Sequence, residues 1–450
     1  MGVNVVDRLT QSFNLPAALD IGALAPHSRI RRCCTLGDSI AAQNLDASSF
    51  VRAYRGTGIL SWAQALLGQP WSYQVADQFA LAGTTTADMI TYQLPALRTA
   101  VQAGTRYDRC FNSWGTNDFN SGVSLATFKA NALTLLAAQR DLGIIPVHWG
   151  ILPRDATGSS TGQNARRQAI AANRWLEELS YTTGMLEYIP VSEVLVNPAD
   201  AYGNALAAYF DGGVLHPNGP GAYWAGRAVY DYYKARGIGP GLSFGYSAAD
   251  DYDAVYCPTG VAFDNPNVLL TGTSGSGVTT CPSGMLAAAG GGTHAWSKQT
   301  RTLANGQSRD VARWTADGAN TASGVYLYDD CIDTGSGWVA GADEFAPGDQ
   351  CYGQALVRCN ITGGASYPYL QLTETDGASN FNAYCIDPGA GTMPNLPADT
   401  YLWLRTPNIT IRPWAGSGNQ GVSMKVNFGA ASAAIGNFEV WAFEVRKVVG

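Results

Sequence analysis

The stretch "CCTLGDSIAAQN", residues 33–44, decides how this chain is read. A short apolar run stops at Gly37, and Asp38 and Ser39 follow before helix-compatible residues. A serine at such a junction commonly caps a helix, its hydroxyl taking up an orphan backbone N–H. It can also stand at the end of a strand with its hydroxyl presented at the sheet edge. What the rest of the chain places around Ser39 chooses between these roles.

Strand-like and helix-like segments alternate from residue 30 to 237. "RIRRCCTLG", "YDRCFNSWG", "IIPVHWGIL" and "MLEYIPV" read as strands, and "SYQVADQFALAG" as an extended segment ending at Gly83. "GILSWAQALLG", "TTADMITYQLPALRTAVQAG", "SLATFKANALTLLAAQRDLG", "NARRQAIAANRWLEELSYTTG" and "GPGAYWAGRAVYDYYKARG" have helical spacing, several closing on glycine. The alternation predicts an α/β fold, a parallel sheet with helices on both faces.

The pattern changes after "GIGPG". Residues 238–262 are Gly- and Asp-rich and read as a linker; from 263 to 450 short period-two runs alternate with Gly and Asn turns. In "VSMKVNF", Val422, Met424, Val426 and Phe428 share one face, and Ser423, Lys425 and Asn427 the other. "GVYLYDD", "QALVRCNIT", "YLWLRTPNITI" and "NFEVWAFEV" behave alike, which predicts an antiparallel, jelly-roll-like β-sandwich. Its tryptophans, Trp296, Trp314, Trp338, Trp403, Trp414 and Trp441, are expected mainly in the core, with a sugar-stacking platform as the alternative.

Composition narrows the function. A chain of 450 residues exceeds the roughly 150 typical of one domain. The net charge of -7 and pI near 5.1 argue against a nucleic-acid partner, which calls for a basic stripe. No apolar run is long enough to span a membrane, and the first twenty residues lack a signal-peptide pattern. The nine cysteines include no C-x-x-C pair and are expected to be buried free thiols, with one or two disulfides among the late ones as the alternative. "AADDYD" at 248–253 lacks the spacing of a calcium loop and reads as solvated linker.

Four short signals follow extended segments: "GDS" (37–39), "LAG" ending at Gly83, "GTND" (115–118) and "DGGVLHPN" (211–218). Loops at the carboxyl ends of parallel strands converge on one crevice, so these four can meet. A serine hydroxyl needs a base within hydrogen-bond reach to act as a nucleophile. Of the four histidines, His216 lies in the loop before the last α/β helix; His148 reads as core or pocket lining. The backbone N–H groups of Ser39 and Gly83 and the Asn117 side-chain amide are suitable donors for an oxyanion. The positive end of the helix after Ser39 is expected to add to them. Asp38 reads as a structural turn residue.

In this order and spacing the four blocks resemble those of the SGNH (GDSL) hydrolase family, over about residues 30–237. The resemblance implies a flavodoxin-like, three-layer hydrolase domain. It implies Ser39 as nucleophile, Gly83 and Asn117 as oxyanion donors and His216 as base. The family usually has an aspartate three residues before the histidine, where this chain has Gly213. Asp211, five before, or a backbone carbonyl would then orient the imidazole. No metal or cofactor is implied.

A hydrolase domain joined to a jelly roll also resembles bacteriophage tail-associated carbohydrate esterases. The expected activity is therefore removal of O-acetyl groups from a bacterial surface polysaccharide. The expected setting is the virion, made in a host cytoplasm, with secretion as the alternative; residues 1–29 are expected as an attachment or oligomerisation segment, with homotrimeric assembly alongside other virion proteins and no membrane insertion. A lipid or small-ester hydrolase, and an inactive glycan-binding or structural protein on the same scaffold, are the alternatives.

Overall fold

The computed structural model describes residues 31–154, 160–201, 203–212, 215–242, 244, 276–277, 285–288, 294–302, 306, 308–317, 325–330, 345–362, 366–389, 393–413, 415, 420–430 and 435–448. The segment 1–29, most of the 238–262 stretch, Gly213, the "AADDYD" cluster, Cys257, Cys281, Cys331, Trp338 and Trp414 lie outside them.

The first half holds strands β1 (Arg31–Gly37), β2 (Leu45–Ala47), β3 (Val51–Arg55), β4 (Trp71–Ser72), β5 (Arg109–Ser113), β6 (Ile145–His148) and β7 (Glu187–Tyr188). Its helices are α1 (Ser39–Ala42), α2 (Ile59–Leu67), α3 (Thr86–Asp88), α4 (Leu94–Gln102), α5 (Thr116–Asn120), α6 (Leu125–Asp141), α7 (Ser160–Thr183) and α8 (Gly219–Lys234). One wide turn, Met89–Gln93, joins α3 to α4.

A five-stranded sheet runs in the order β4-β1-β5-β6-β7, every neighbouring pair parallel. Side-chain alternation along β1 builds the layers. Cys33 faces a core shared with α2 and α8, and Cys34 and Leu36 face one built from α4, α6 and α7. This is the expected doubly wound α/β arrangement. Gly37 pairs with Ser113, so β1 and β5 end level and release their loops side by side.

Two local expectations are corrected. The segment 72–83 is not a long strand. After the two residues of β4 it passes through a 3-10 turn and follows β1 irregularly, Phe79 N donating to Thr35 O and Leu81 N to Gly37 O. Helix α1 is a single turn of four residues, so its dipole at Ser39 is weak.

The chain leaves α1 into the β2–β3 hairpin, and this hairpin joins the second half. The remaining strands are β8 (Ser276–Gly277), β9 (Leu286–Ala288), β10 (His294–Thr302), β11 (Ser308–Asp317), β12 (Val325–Asp330), β13 (Gln350–Thr362), β14 (Ser366–Asp376), β15 (Asn380–Asp387), β16 (Thr400–Arg405), β17 (Ile409–Thr410), β18 (Gln420–Ala430) and β19 (Ile435–Val448). One sheet runs β10-β11-β19-β13-β16, with β17 beside β13; the other runs β2-β3-β15-β14-β18-β12-β9-β8. Their inner faces interleave: Phe428 of β18 lies 4.3 Å from Phe438 of β19, centroid to centroid, and stacks on Trp314 of β11. Val422, Met424, Val426 and Phe428 are all at most 1% exposed, as their spacing predicts.

The second sheet is not purely antiparallel. β3 pairs with β15 in parallel, and β8 with β9 likewise. The two halves therefore share a sheet, and one continuous apolar core runs from Trp62 and Tyr223 to Trp314 and Phe428. The start of the stretch read as linker is packed down, with Leu242 and Phe244 buried against Trp403 and Trp441. All four described tryptophans of the sandwich are buried, as core residues and not as a platform. Six of the cysteines, Cys33, Cys34, Cys110, Cys351, Cys359 and Cys385, are buried free thiols.

Candidate active site

The carboxyl ends of β1 and β5 carry the first two blocks. Gly37 approaches β5 so closely that a Cβ there would sit 2.3 Å from the Ser113 carbonyl oxygen, which only glycine avoids. Asp38 is then the N-cap of α1. Its Oδ1 accepts from Ile40 N at 3.0 Å and from Ser113 Oγ at 3.2 Å, while its backbone N donates to Ser113 O. Ser39, relieved of the capping role, is half-buried with its hydroxyl directed elsewhere.

That hydroxyl meets His216. Ser39 Oγ and His216 Nε2 are 2.8 Å apart, and His216 Nδ1 and Asp211 Oδ2 are 3.2 Å apart. The loop is closed on itself: Asp211 N donates to His216 O at 2.8 Å, and Phe210 bridges to Pro217. Asn218 locks its base, donating to Ala208 O and Phe210 O and accepting from Gly221 N to cap α8. Burial alone would raise the Asp211 carboxyl, but hydrogen bonds from the Leu215 and His216 N–H groups and the imidazole hold it below its ordinary value. A carboxylate on one nitrogen and a hydroxyl on the other fix the ring for proton transfer from the serine.

Gly83 and Asn117 are tied to the same junction. Gly83 is exposed with φ +80, a conformation suited to glycine, and a Cβ there would meet nothing within 4 Å. Thr84 beside it donates through Oγ1 to Gly37 O and Leu81 O, and its own carbonyl accepts from Asn117 Nδ2 at 3.0 Å. One amide proton of Asn117 is thus committed to the loop of Gly83.

Several supports carried no readable sequence signal. Gln93 is 1% exposed, accepts from Gly37 N at 2.9 Å and donates to Gly37 O at 2.8 Å and Thr84 Oγ1 at 3.0 Å. Asp118 is fully buried and accepts from Thr86 N and Oγ1, pinning α3 to α5. Burial raises the Asp118 carboxyl, opposed by those bonds, and burial pushes Asp38 up to about 7. His148 is not at the site: it is fully buried, its Nδ1 accepts from Gly150 N at 3.0 Å, and burial lowers it to about 3. Among the described residues no cluster of His, Cys, Asp and Glu is placed to hold a metal ion.

A parallel five-stranded α/β sheet with a Ser–His–Asp hydrogen-bonded chain at its carboxyl edge defines a hydrolase-type domain. Residues 35–223 match the family model described as the GDSL-like lipase/acylhydrolase family, so the first half is a GDSL-like α/β domain. The match supports esterase or acylhydrolase chemistry at family level.

Among solved structures, the chain is similar to a lipase/acylhydrolase from Enterococcus faecalis, at 18% identity over 46% of this chain and 96% of that one, with a TM-score of 0.35. It is also similar to a member of the lipolytic G-D-S-L family from Veillonella parvula, at 16% identity over 45% and 98%, TM-score 0.35. A GDSL-like lipase from Bacteroides thetaiotaomicron aligns at 15% identity over 48% and 93%, TM-score 0.33. No curated protein matches the chain.

Proposed function

We propose that the protein is a serine esterase that removes O-acetyl or similar short acyl groups from a bacterial surface polysaccharide, as part of a phage virion. Ser39 attacks the ester carbonyl while His216 takes its proton, and Asp211 steadies the imidazolium. The tetrahedral oxyanion is held by the N–H groups of Ser39 and Gly83 and the second Asn117 amide proton. His216 returns the proton to the leaving sugar hydroxyl, and water repeats the sequence to release the acid.

The observation that carries the chemistry is the chain Ser39 Oγ–His216 Nε2–Asp211 Oδ2, at 2.8 and 3.2 Å. A polymeric sugar substrate is supported by the setting. Ser39 is half-buried and Gly83 and Asp211 are exposed, so the site opens to the surface.

The outward face of the eight-stranded sheet adds support. Tyr384, Gln371, Lys425 and Tyr328 stand in one cross-strand row, and Tyr369, Asn427 and Tyr326 in the next. Aromatic rings interleaved with amide and ammonium groups suit sugar rings, whose faces are apolar and whose edges are hydroxylated. Released acetate from acetylated bacterial polysaccharides, compared between wild type and Ser39→Ala, tests the reading. Equal release by both proteins would end it, and a preference for long acyl chains would favour a lipid esterase.

A further inference from the structure

Side chains, more than backbone, hold the segment that carries Gly83. Between Tyr73 and Gly83 its backbone meets β1 at the bridge of Thr35 to Gln78 and through Phe79 N to Thr35 O and Leu81 N to Gly37 O. A segment without a regular ladder can slip along its neighbour. A slip of about 1 Å in a group that binds the transition state can cost as much as about 10²-fold in rate.

Tyr73 stands at the head of this segment and is 2% exposed. Its hydroxyl proton goes to Gln78 Oε1 at 3.0 Å, so the Thr35 hydroxyl, 2.9 Å away, donates to it. Thr35 lies on β1 four residues before Ser39, and Gln78 lies five before Gly83. Gln78 Nε2 donates in turn to Leu45 O of β2 at 3.1 Å. One phenol thereby ties the strand that ends at Ser39 to the segment that ends at Gly83.

The second half grips the same residue. The Tyr54 hydroxyl, on β3, donates to Tyr73 O, and the two rings stack with centroids 6.1 Å apart. Tyr54 stands opposite Cys385 where β3 pairs with β15. Gln74, next in the chain, accepts through Oε1 from Asn408 N at 3.0 Å. Burial pushes both phenols above their ordinary value, so both stay protonated donors near neutral pH. A buried network with its bonds made is stiff.

We propose that Tyr73 is a positioning residue through which the β-sandwich half holds the proposed oxyanion loop in register with Ser39. This role rests on the esterase reading. Tyr73 touches no reacting atom; it acts through Gln78 and Thr35 on where the Gly83 N–H points.

Tyr73→Phe tests the role, because the ring and its packing remain. The kcat on p-nitrophenyl acetate is expected to fall about ten-fold, with KM within about two-fold of wild type. Inhibition by phenylboronic acid, which forms a tetrahedral adduct on an active serine, is expected to weaken in parallel. Adding Tyr73→Phe to Gly83→Ala is expected to cost little more than Gly83→Ala alone, since both act on one loop. Tyr54→Phe, which cuts only the link to β3, is expected to lower kcat in the same direction and serves as the reading if Tyr73→Phe misfolds. A folded Tyr73→Phe protein with wild-type kcat overturns the role, whatever its melting temperature. So does a fall in kcat without loss of boronate affinity, or with full additivity to Gly83→Ala. Wild-type kcat in Tyr54→Phe overturns the link to the β-sandwich. Hydrolysis equal in wild type and Ser39→Ala would instead overturn the esterase reading itself.

Discussion

Gln93 holds Gly37 at both backbone atoms, its carbonyl oxygen accepting from Gly37 N at 2.9 Å and its amide donating to Gly37 O at 2.8 Å. The residue it grips lies two before Ser39, and the same amide reaches Thr84 in the loop of Gly83. One buried side chain thereby sets the spacing between the strand that ends at the proposed nucleophile and the proposed oxyanion loop. In Gln93→Leu, the Gly37 N–H loses this partner inside the protein, at roughly 1–3 kcal/mol for the unsatisfied group. Denaturant unfolding should show that loss, and kcat should fall while KM for p-nitrophenyl acetate changes little. A stable, fully active Gln93→Leu protein would show that the clamp positions nothing.

The Ser39–His216–Asp211 chain should behave as a unit. Ser39→Ala and His216→Ala are each expected to cut kcat by about 10³-fold or more, and the double variant to be scarcely worse than either. Asp211→Asn should cost less, on the order of 10²-fold, because Asp211 is partly exposed. Burst and steady-state kinetics on p-nitrophenyl acetate read all four, and fully additive losses would contradict the assignment.

For the proposed oxyanion donors, Asn117→Ala should lower kcat by about 10²–10³-fold, equivalent to roughly 2.7–4 kcal/mol, with KM nearly constant. Gly83→Ala meets no steric obstacle, yet its φ of +80 places an alanine in a strained region at about 1–2 kcal/mol. Its loop should therefore shift, with a kcat effect larger than its effect on Tm.

Asp38 gives a pH signature in stability. Its folded-state pKa near 7 lies above the ordinary 3.8, so the folded protein holds this proton to higher pH than the unfolded chain. The associated stability is fully present below about pH 4 and is lost as pH rises through about 7. Asp38→Asn keeps an acceptor for Ile40 N and cannot ionise. Relative to wild type it should gain stability between pH 4 and pH 8, by on the order of 4 kcal/mol at most. Urea melts at the two pH values measure this, and a pH-independent difference would refute the assignment.

The shared sheet predicts one cooperative unit. β3 is hydrogen-bonded to β15, Gly56 N to Asp387 O at 2.7 Å, and Gln69 Nε2 to Trp403 O at 3.0 Å. Calorimetry of the whole chain should show a single transition. A chain ended at residue 244 should aggregate or melt far lower, because it bares the β3 edge and half of a continuous core. An unchanged melting temperature in the truncated chain would rule this out.

The order of strands and helices in the first half was legible because its periods are strong and its stops are glycines. The period-two faces of the second half were legible for the same reason, as the burial of Val422, Met424, Val426 and Phe428 shows. The blocks around Ser39, Gly83, Asn117 and His216 stood out because each pairs a chemically able residue with a turn. Gln93 and Asp118 could not stand out. Each is an ordinary polar residue on a helix or loop, and only packing buries it beside its target. Segment 72–83 misled because its apolar residues follow β1 without forming a regular ladder.

By itself, then, the sequence determined the local elements, since backbone preference and side-chain period act between near neighbours. Tertiary structure alone decided that the hairpin after Ser39 would complete a sheet more than three hundred residues away. It also decided that a hydroxyl and an imidazole 177 positions apart would meet at 2.8 Å. Such contacts depend on how whole layers pack, and no short stretch of residues encodes that geometry.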